Sequence, residues 1–361
     1  LIFFNALAIL IIYIIRKRIY MKQKKVTFAD IAAYTGFSKT TISRYFNNPD
    51  SLTLENQEKI AHALDVLGYQ ENKLAKVLAN GKSEFVGIII PNLYLHYYSE
   101  MLNQLLSTYE KYNYKFLVFI GNNKKEIEEK YIHELMAYKI EGLIVLSNTI
   151  SSEELASYKL PVVTIERECD HVCSVSTDNY LGGVQATSLL IRNKCDVILH
   201  INSIFPDTLP TYGRIRGFED ICNEHHVVHE LIQRNLGNTY QETLTQLKNI
   251  FNEIEEKYPS QKKGVFLAND TYASMFLNLI FQKYGKLPKD YQIVGFDDSP
   301  IASEAILPIT TVGQQIEKIA QTAMELLVLQ MNEMKKRKPT PLKEPVHKQI
   351  TPVLIRRDTT E

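Results

Sequence analysis

The feature that most restricts the fold lies beyond residue 84, where short continuous apolar runs take turns with longer stretches of helical pattern. The runs are FVGIII (85–90), KFLVFI (115–120), GLIVLS (142–147), PVVTI (161–165), DVILHI (196–201), GVFLA (264–268) and YQIVGF (291–296). Between them lie helical candidates near 98–112, 125–139, 179–193, 211–224, 240–257, 270–284 and 313–331. A strand that is apolar on both faces must be covered on both faces, so this alternation predicts parallel sheets layered with helices. The runs form two sets split near residue 176, which predicts two doubly wound lobes. Ligands in such folds sit at the carboxyl ends of the strands. Those ends carry Pro91-Asn92, Ser147, Glu166-Arg167, Asn269-Asp270 and Asp297-Asp298.

Residues 26–69 have a different texture: short helical segments and no strand pattern. Thr27 with Asp30 forms a capping-box pair opening a first helix, which Gly36 breaks. Ser38 is a natural cap for a second helix, KTTISRYF, and Thr53 for a third, with Ile60, Leu64 and Leu67 on one face and Gly68 after it. Ala32, Gly36 and Ile42 keep the spacing of a helix-turn-helix: a small residue where helices approach, a glycine in the turn, a branched plug in the core. A recognition helix needs short polar residues near its N-terminus to reach base edges. Lys39, Thr40 and Thr41 supply them, and Ser38, Ser43, Arg44 and Asn47 can reach phosphates or bases.

Charge supports this division. The 361-residue chain holds 41 Lys+Arg and 41 Asp+Glu. That zero resolves into +3 over residues 1–20, +3 over 21–82 and −6 over 83–361. A basic head on an acidic body suggests a nucleic-acid module attached to something else. With 45% hydrophobic and 23% charged residues, the composition excludes wholesale disorder. Four cysteines (Cys169, Cys173, Cys195, Cys222) are too few for a disulfide scaffold and suit a reducing cytoplasm. Residues 1–15 are almost wholly apolar and are followed by RKR. This run is short for a membrane span, and its charges stand on the wrong side for a secretory signal. Residues 1–20 are therefore expected to be a non-native or upstream extension, with Met21 as the functional start. The alternative is a membrane anchor on a sugar-binding or sensing protein.

VTFADIAAYTGFSKTTISRYFNN followed by LGYQENKLAKVLANGKSEFVGIIIP resembles the lactose/galactose repressor (LacI/GalR) family of bacterial transcription regulators. Further matches are PVVTIER (161–167), VSTDNYLGG (175–183), YGRIRGFED (212–220), FLAND (266–270), VGFDD (294–298) and PVLIRRDTT (352–360), so the likeness runs from about Val26 to Arg357. It implies an all-α helix-turn-helix head (21–70), a hinge helix and linker (71–83), and an α/β body (84–361) of two doubly wound parallel-sheet lobes of the periplasmic-binding-protein type I. The first lobe is expected at about 84–176 plus 310–339, the second at 177–309 plus 340–361.

The resemblance also implies roles. Thr27 caps the first helix and contacts phosphate, while Lys39 and Thr40 read bases. Asn72, Ala75 and Leu78 belong to a hinge helix that forms on the operator, with Leu78 as an apolar wedge in the minor groove. Glu71 stands where the family commonly has proline. Arg214 would clamp an effector from the second lobe, and Asp297 would accept hydrogen bonds from its hydroxyls. Asn269 and Phe266 would line the same strand end, and Tyr97, Tyr98 and Ser147 would face the cleft from the first lobe. The implied function is an effector-responsive regulator, a repressor of a sugar or sugar-acid operon. It would be cytoplasmic and homodimeric, with a tetramer left open, on near-palindromic DNA.

Three other motifs carry less. Gly81-Lys82-Ser83 resembles the tail of a phosphate loop, but no strand or leading glycine precedes it. Cys222, His225, His226 and His229 read as a surface helix end rather than a metal site. Lys335-Lys336-Arg337-Lys338 reads as a solvated loop. No nucleophile–base set and no cofactor or metal motif is found, which argues against an enzyme.

Overall fold

The computed structural model describes residues 26–70, 83–167, 170–338 and 344–361. The segment 1–20 and the hinge residues Asn72, Ala75 and Leu78 lie outside the described residues. The chain divides into two compact units, Leu1–Gly81 and Lys82–Glu361.

In the first unit, α1 (Phe28–Thr35), α2 (Lys39–Asn47) and α3 (Leu54–Leu67) follow the boundaries that the capping residues set. The Asp30 carboxylate accepts from both the N–H (2.8 Å) and the hydroxyl (2.6 Å) of Thr27. Gly36 follows α1 with φ 76° and Gly68 follows α3 with φ 62°, left-handed conformations that a side chain would strain. Thr53 caps α3 by accepting from Asn56 N at 3.4 Å. The core is small: Ile31, Ile42, Ile60 and Ala63 are fully buried. Phe28 and Phe46 stack beside them with ring centroids 5.2 Å apart.

The described residues of the second unit form twelve strands in two six-stranded sheets. They are β1 (Phe85–Ile90), β2 (Lys115–Ile120), β3 (Gly142–Val145), β4 (Val162–Ile165), β5 (Cys173–Thr177), β6 (Val197–Ser203), β7 (Val228–Arg234), β8 (Lys263–Leu267), β9 (Tyr291–Asp297), β10 (Thr310–Gly313), β11 (His347–Ile350) and β12 (Val353–Ile355). The first sheet has the order β11-β5-β4-β3-β1-β2 and is parallel throughout. The second has the order β12-β10-β9-β8-β6-β7 and is parallel except for the edge strand β12. Alternate residues of one strand enter different cores, as the pleat requires. Val86, Ile88 and Ile90 pack on one face of the first sheet and Ile89 on the other. Leu199 and Ile201 likewise oppose Ile198 in the second.

The expected partition of the lobes needs correction in two places. β10 falls in the range expected for the first lobe but pairs with β9 and β12 in the second sheet. β11 falls in the range expected for the second lobe but pairs with β5 in the first. The chain thus passes between lobes after Thr177, after Gly313 and between Ile350 and Val353. Helix Ile316–Met334, between the last two crossings, belongs to the first lobe. Its buried face, Ile319, Ala320, Ala323, Met324 and Leu327, joins the core of the first sheet. Among the described residues no helix is long and apolar enough to cross a membrane.

Candidate functional site

In the head, the fully buried Ile42 fixes which face of α2 turns inward. Lys39, Thr40, Arg44 and Asn47 are therefore exposed. Ser38 and Thr41 are occupied in capping: Ser38 Oγ accepts from Thr41 N at 3.1 Å, and the two hydroxyls lie 2.9 Å apart. Asn47 Nδ2 donates to the carbonyl (3.0 Å) and hydroxyl (3.2 Å) of Ser43 one turn back. Lys39, Thr40 and Arg44 make no side-chain hydrogen bond or ion pair among the described residues. These are the side chains with donors and acceptors still to place, at the first turn and middle of an exposed helix.

In the body, a cavity of about 190 Å³ opens between the carboxyl ends of the two sheets. Tyr97, Tyr98, Leu146, Asn148 and Glu166 line it from the first lobe, and Asn202, Ser203, Arg214, Asn269, Tyr272 and Asp297 from the second, with Gln314 at a crossing. Arg214 is placed by close helix packing. A Cβ on Gly183 would stand 2.4 Å from the Arg214 carbonyl oxygen, so helix Asn179–Arg192 can approach helix Gly213–Glu224 only with glycine there.

The Arg214 guanidinium donates through Nε to Asn179 Oδ1 (2.7 Å) and through Nη1 to the Ala268 carbonyl (2.6 Å). It lies 3.6 Å over the Phe296 ring and 4.0 Å from the Asp297 carboxylate. Gln314 Nε2 donates to Asp297 at 2.5 Å, while Gln314 Oε1 accepts from the Thr177 hydroxyl at 2.7 Å. Thr177 N donates to Glu166, whose other oxygen accepts from Asn179 Nδ2 at 2.8 Å. Glu166, Asn179, Arg214, Asp297, Gln314 and Thr177 therefore form a closed ring that spans two of the three crossings between lobes.

Burial dominates the electrostatics. Desolvation raises the Asp297 carboxyl well above the usual carboxylate range, partly offset by Arg214 and reinforced by Asp270. Asp270 itself, fully buried, is raised to about 7 by desolvation, although Thr311 Oγ1 (2.6 Å) and Ser299 N (2.8 Å) donate to it. Asp297 and Asp298 both have positive φ, 112° and 55°, a backbone state uncommon outside glycine. Tyr97 is buried, stands edge-on to Tyr98 with centroids 5.3 Å apart, and its hydroxyl has no partner among the described residues.

Five of the seven expected cleft residues meet here: Tyr97, Tyr98, Arg214, Asn269 and Asp297. Two do not. Ser147 is buried and donates at 2.5 Å to the buried Glu128, away from the cavity. Phe266 is fully buried in the second-lobe core, stacked 4.2 Å from His200, because its alternate position on β8 points into the sheet's covered face. The sequence reading gives no role to Glu166 and does not single out Asn179, Gln314, Asn148, Asn202 or Tyr272. Asn179 and Gln314 lie just beyond β5 and β10, so the strand-end rule applied to those two strands finds them. Residues Cys222, His225, His226 and His229 form no metal-ligating group among the described residues.

Two family profiles match the chain: bacterial regulatory proteins of the lacI family over residues 27–72, and a periplasmic binding protein-like domain over 188–360. The chain carries a regulatory domain of the lacI family followed by a periplasmic binding protein-like domain. Members of the lacI family are DNA-binding transcription regulators rather than enzymes, and this chain is such a regulator. It is 26% identical over 303 residues to the sucrose operon repressor of Streptococcus mutans, covering 83% of this chain and 91% of that one. It is 28% identical over 313 residues to the transcriptional regulator RegA of Clostridium saccharobutylicum, covering 84% and 92%. Its fold matches the crystal structure of the Lac repressor dimer bound to operator and an anti-inducer, with a TM-score of 0.76 at 21% identity over 93% of this chain and 99% of that one.

Proposed function

We propose that this chain is a cytoplasmic repressor of a sugar-utilisation operon, and that its effector is a neutral sugar held in the cleft between the lobes. The ring that joins Glu166 and Gln314 to Arg214 and Asp297 carries this reading. A ligand hydroxyl that enters it exchanges hydrogen bonds with residues at two crossings, and so favours one angle between the lobes over another. Acceptor carboxylates, amides and the partnerless Tyr97 hydroxyl suit a polyhydroxyl ligand, since each buried polar atom left unpaired costs about 1–3 kcal/mol. Arg214, the cation of the cavity, already faces Asp297 and neighbours Glu166 through Asn179, which disfavours a sugar acid or phosphosugar. Lys39 and Thr40 read bases, and Thr27, Arg44 and Asn47 contact phosphate or neighbouring bases. Asn72, Ala75 and Leu78 supply the hinge. Two protomers place two such helices on a near-palindromic operator, so effector and operator affinities are linked reciprocally. Supporting the sugar reading, a relative covering most of the chain is named a sucrose operon repressor.

The test has two arms. A thermal-shift panel of neutral mono- and disaccharides, aldonic acids and phosphosugars should stabilise the body with members of the first group alone. The full chain should bind an operator selected from a random-sequence pool, with affinity changed by the stabilising sugar. Stabilisation by an acid or phosphosugar alone overturns the neutral-sugar assignment. Selection of no sequence overturns the repressor reading.

A further inference from the structure

We propose that the body makes its own contact with DNA phosphate through Lys336, Arg337 and Lys338, at the end of the first sheet where the chain arrives from the head. The inference rests on DNA binding by the head. Residues 83–361 hold 29 basic and 35 acidic residues, so a body of even charge would be repelled by DNA. The charge is not even. Four consecutive cations, Lys335 to Lys338, follow helix Ile316–Met334 at the end of the sheet where the parallel strands begin. Lys139 precedes β3 and Lys159 precedes β4 at that same end. At the opposite end, by the cleft, a second cavity is lined by the acids Glu100, Asp297, Asp298 and Glu317 against one cation, Arg357, which pairs with Asp298.

The cationic run is tied to the point where the chain comes in. The Glu141 carboxylate accepts from Glu84 N at 2.8 Å and pairs with Lys335 Nζ. The Ser83 hydroxyl donates to the Lys139 carbonyl. Lys335 is therefore held by the residue that also holds Glu84, just before β1. Lys336 pairs with Glu333 one turn back, while Arg337 and Lys338 are exposed and make no ion pair among the described residues. Twelve residues, 71–82, lie between Gln70 in the head and Ser83. Such a tether reaches at most about 45 Å. A duplex gripped by the head is thereby tethered to Ser83, which stands at the same end of the sheet as the run, and it presents one phosphate charge per about 1.7 Å of axis. Contacts of this kind add affinity that is salt-dependent and indifferent to sequence.

Fluorescence anisotropy of the full chain on an operator fragment selected from a random pool, from low to physiological salt, tests this. The triple variant K336Q/R337Q/K338Q should bind about tenfold more weakly at low salt. Its plot of log affinity against log salt should be shallower by about 2.7 for each protomer, at about 0.9 for each of three phosphates no longer neutralised. The ranking of operator variants and the melting temperature should stay as in the unaltered chain. A control, K248Q/K286Q/K289Q, removes three exposed lysines of the second lobe and should leave the slope unchanged. An unchanged slope in the first variant, an equal loss in the control, or an altered operator ranking overturns the proposal. Failure of the unaltered chain to bind any duplex would overturn the reading of the head as well, and is seen before the variants are compared.

Discussion

The head and the cleft hold their candidate residues in opposite conditions. On α2, Lys39, Thr40 and Arg44 project from an exposed helix with their hydrogen-bonding groups unplaced, while one buried residue, Ile42, anchors that helix. In the cleft, Arg214, Asp297, Asn179, Gln314 and Glu166 are already bonded to one another. The difference suits the proposed ligands. A duplex brings its own dense field and many phosphates, so a few free side chains suffice to choose sequence. A small neutral effector of the kind proposed brings little, and would act on groups whose arrangement already depends on the angle between the lobes.

The contrast is broken most strongly at Arg214. Arg214→Ala removes the donors to Asn179 Oδ1 and the Ala268 carbonyl, and each buried acceptor left unpaired costs about 1–3 kcal/mol. Denaturant unfolding of the body should show that loss, together with loss of sugar stabilisation, while the head keeps its fold. A next test uses pH. Asp270 is raised in the folded chain from 3.8 to about 7, so the native state holds more protons than the unfolded one between those values. The contribution of Asp270 to stability is then fullest below about pH 4 and is lost as pH rises through about 7. Melting temperatures across that window should fall, and Asp270→Asn should flatten the fall; an equally steep decline in the variant would sink the assignment. Lys39→Ala should cost about 1–3 kcal/mol at the base pair it is proposed to read. Its unfolding midpoint should stay within about 0.5 kcal/mol of the unaltered chain, the reverse of Arg214→Ala. The smallest effect is expected at Ser38→Ala, where loss of the α2 cap costs about 1 kcal/mol of head stability. Heat or denaturant should then melt the head earlier and the body unchanged.

How much of this can be read from the sequence depends on the kind of signal. Capping residues and left-handed glycines are local, and Thr27, Ser38, Gly36, Thr53 and Gly68 mark the helix limits expected of them. Central strands such as β1 and β8 are apolar on both faces and announce themselves. The sheet strands β5, β10 and β11 (CSVST, TTVG, HKQI) are short and partly polar, and fall outside the apolar runs that signal strands. Overlooking them misplaces the lobe boundaries and hides Asn179 and Gln314. Phe266 misleads for a related reason: it lies on a correctly placed strand, but only the register tells that its side chain enters the covered face. The Ser147 hydroxyl depends on Glu128, nineteen positions away on a different element, a pairing no periodicity discloses.

The threading of the last two strands has a consequence for synthesis. β11 completes the first sheet and β12 the second, and both come from residues 347–355. The head has all its helices by residue 67. At about 5–20 residues per second, roughly 15–60 s of translation pass between the two. A nascent chain therefore carries a finished DNA-binding head on a body whose two sheets each still lack an edge strand.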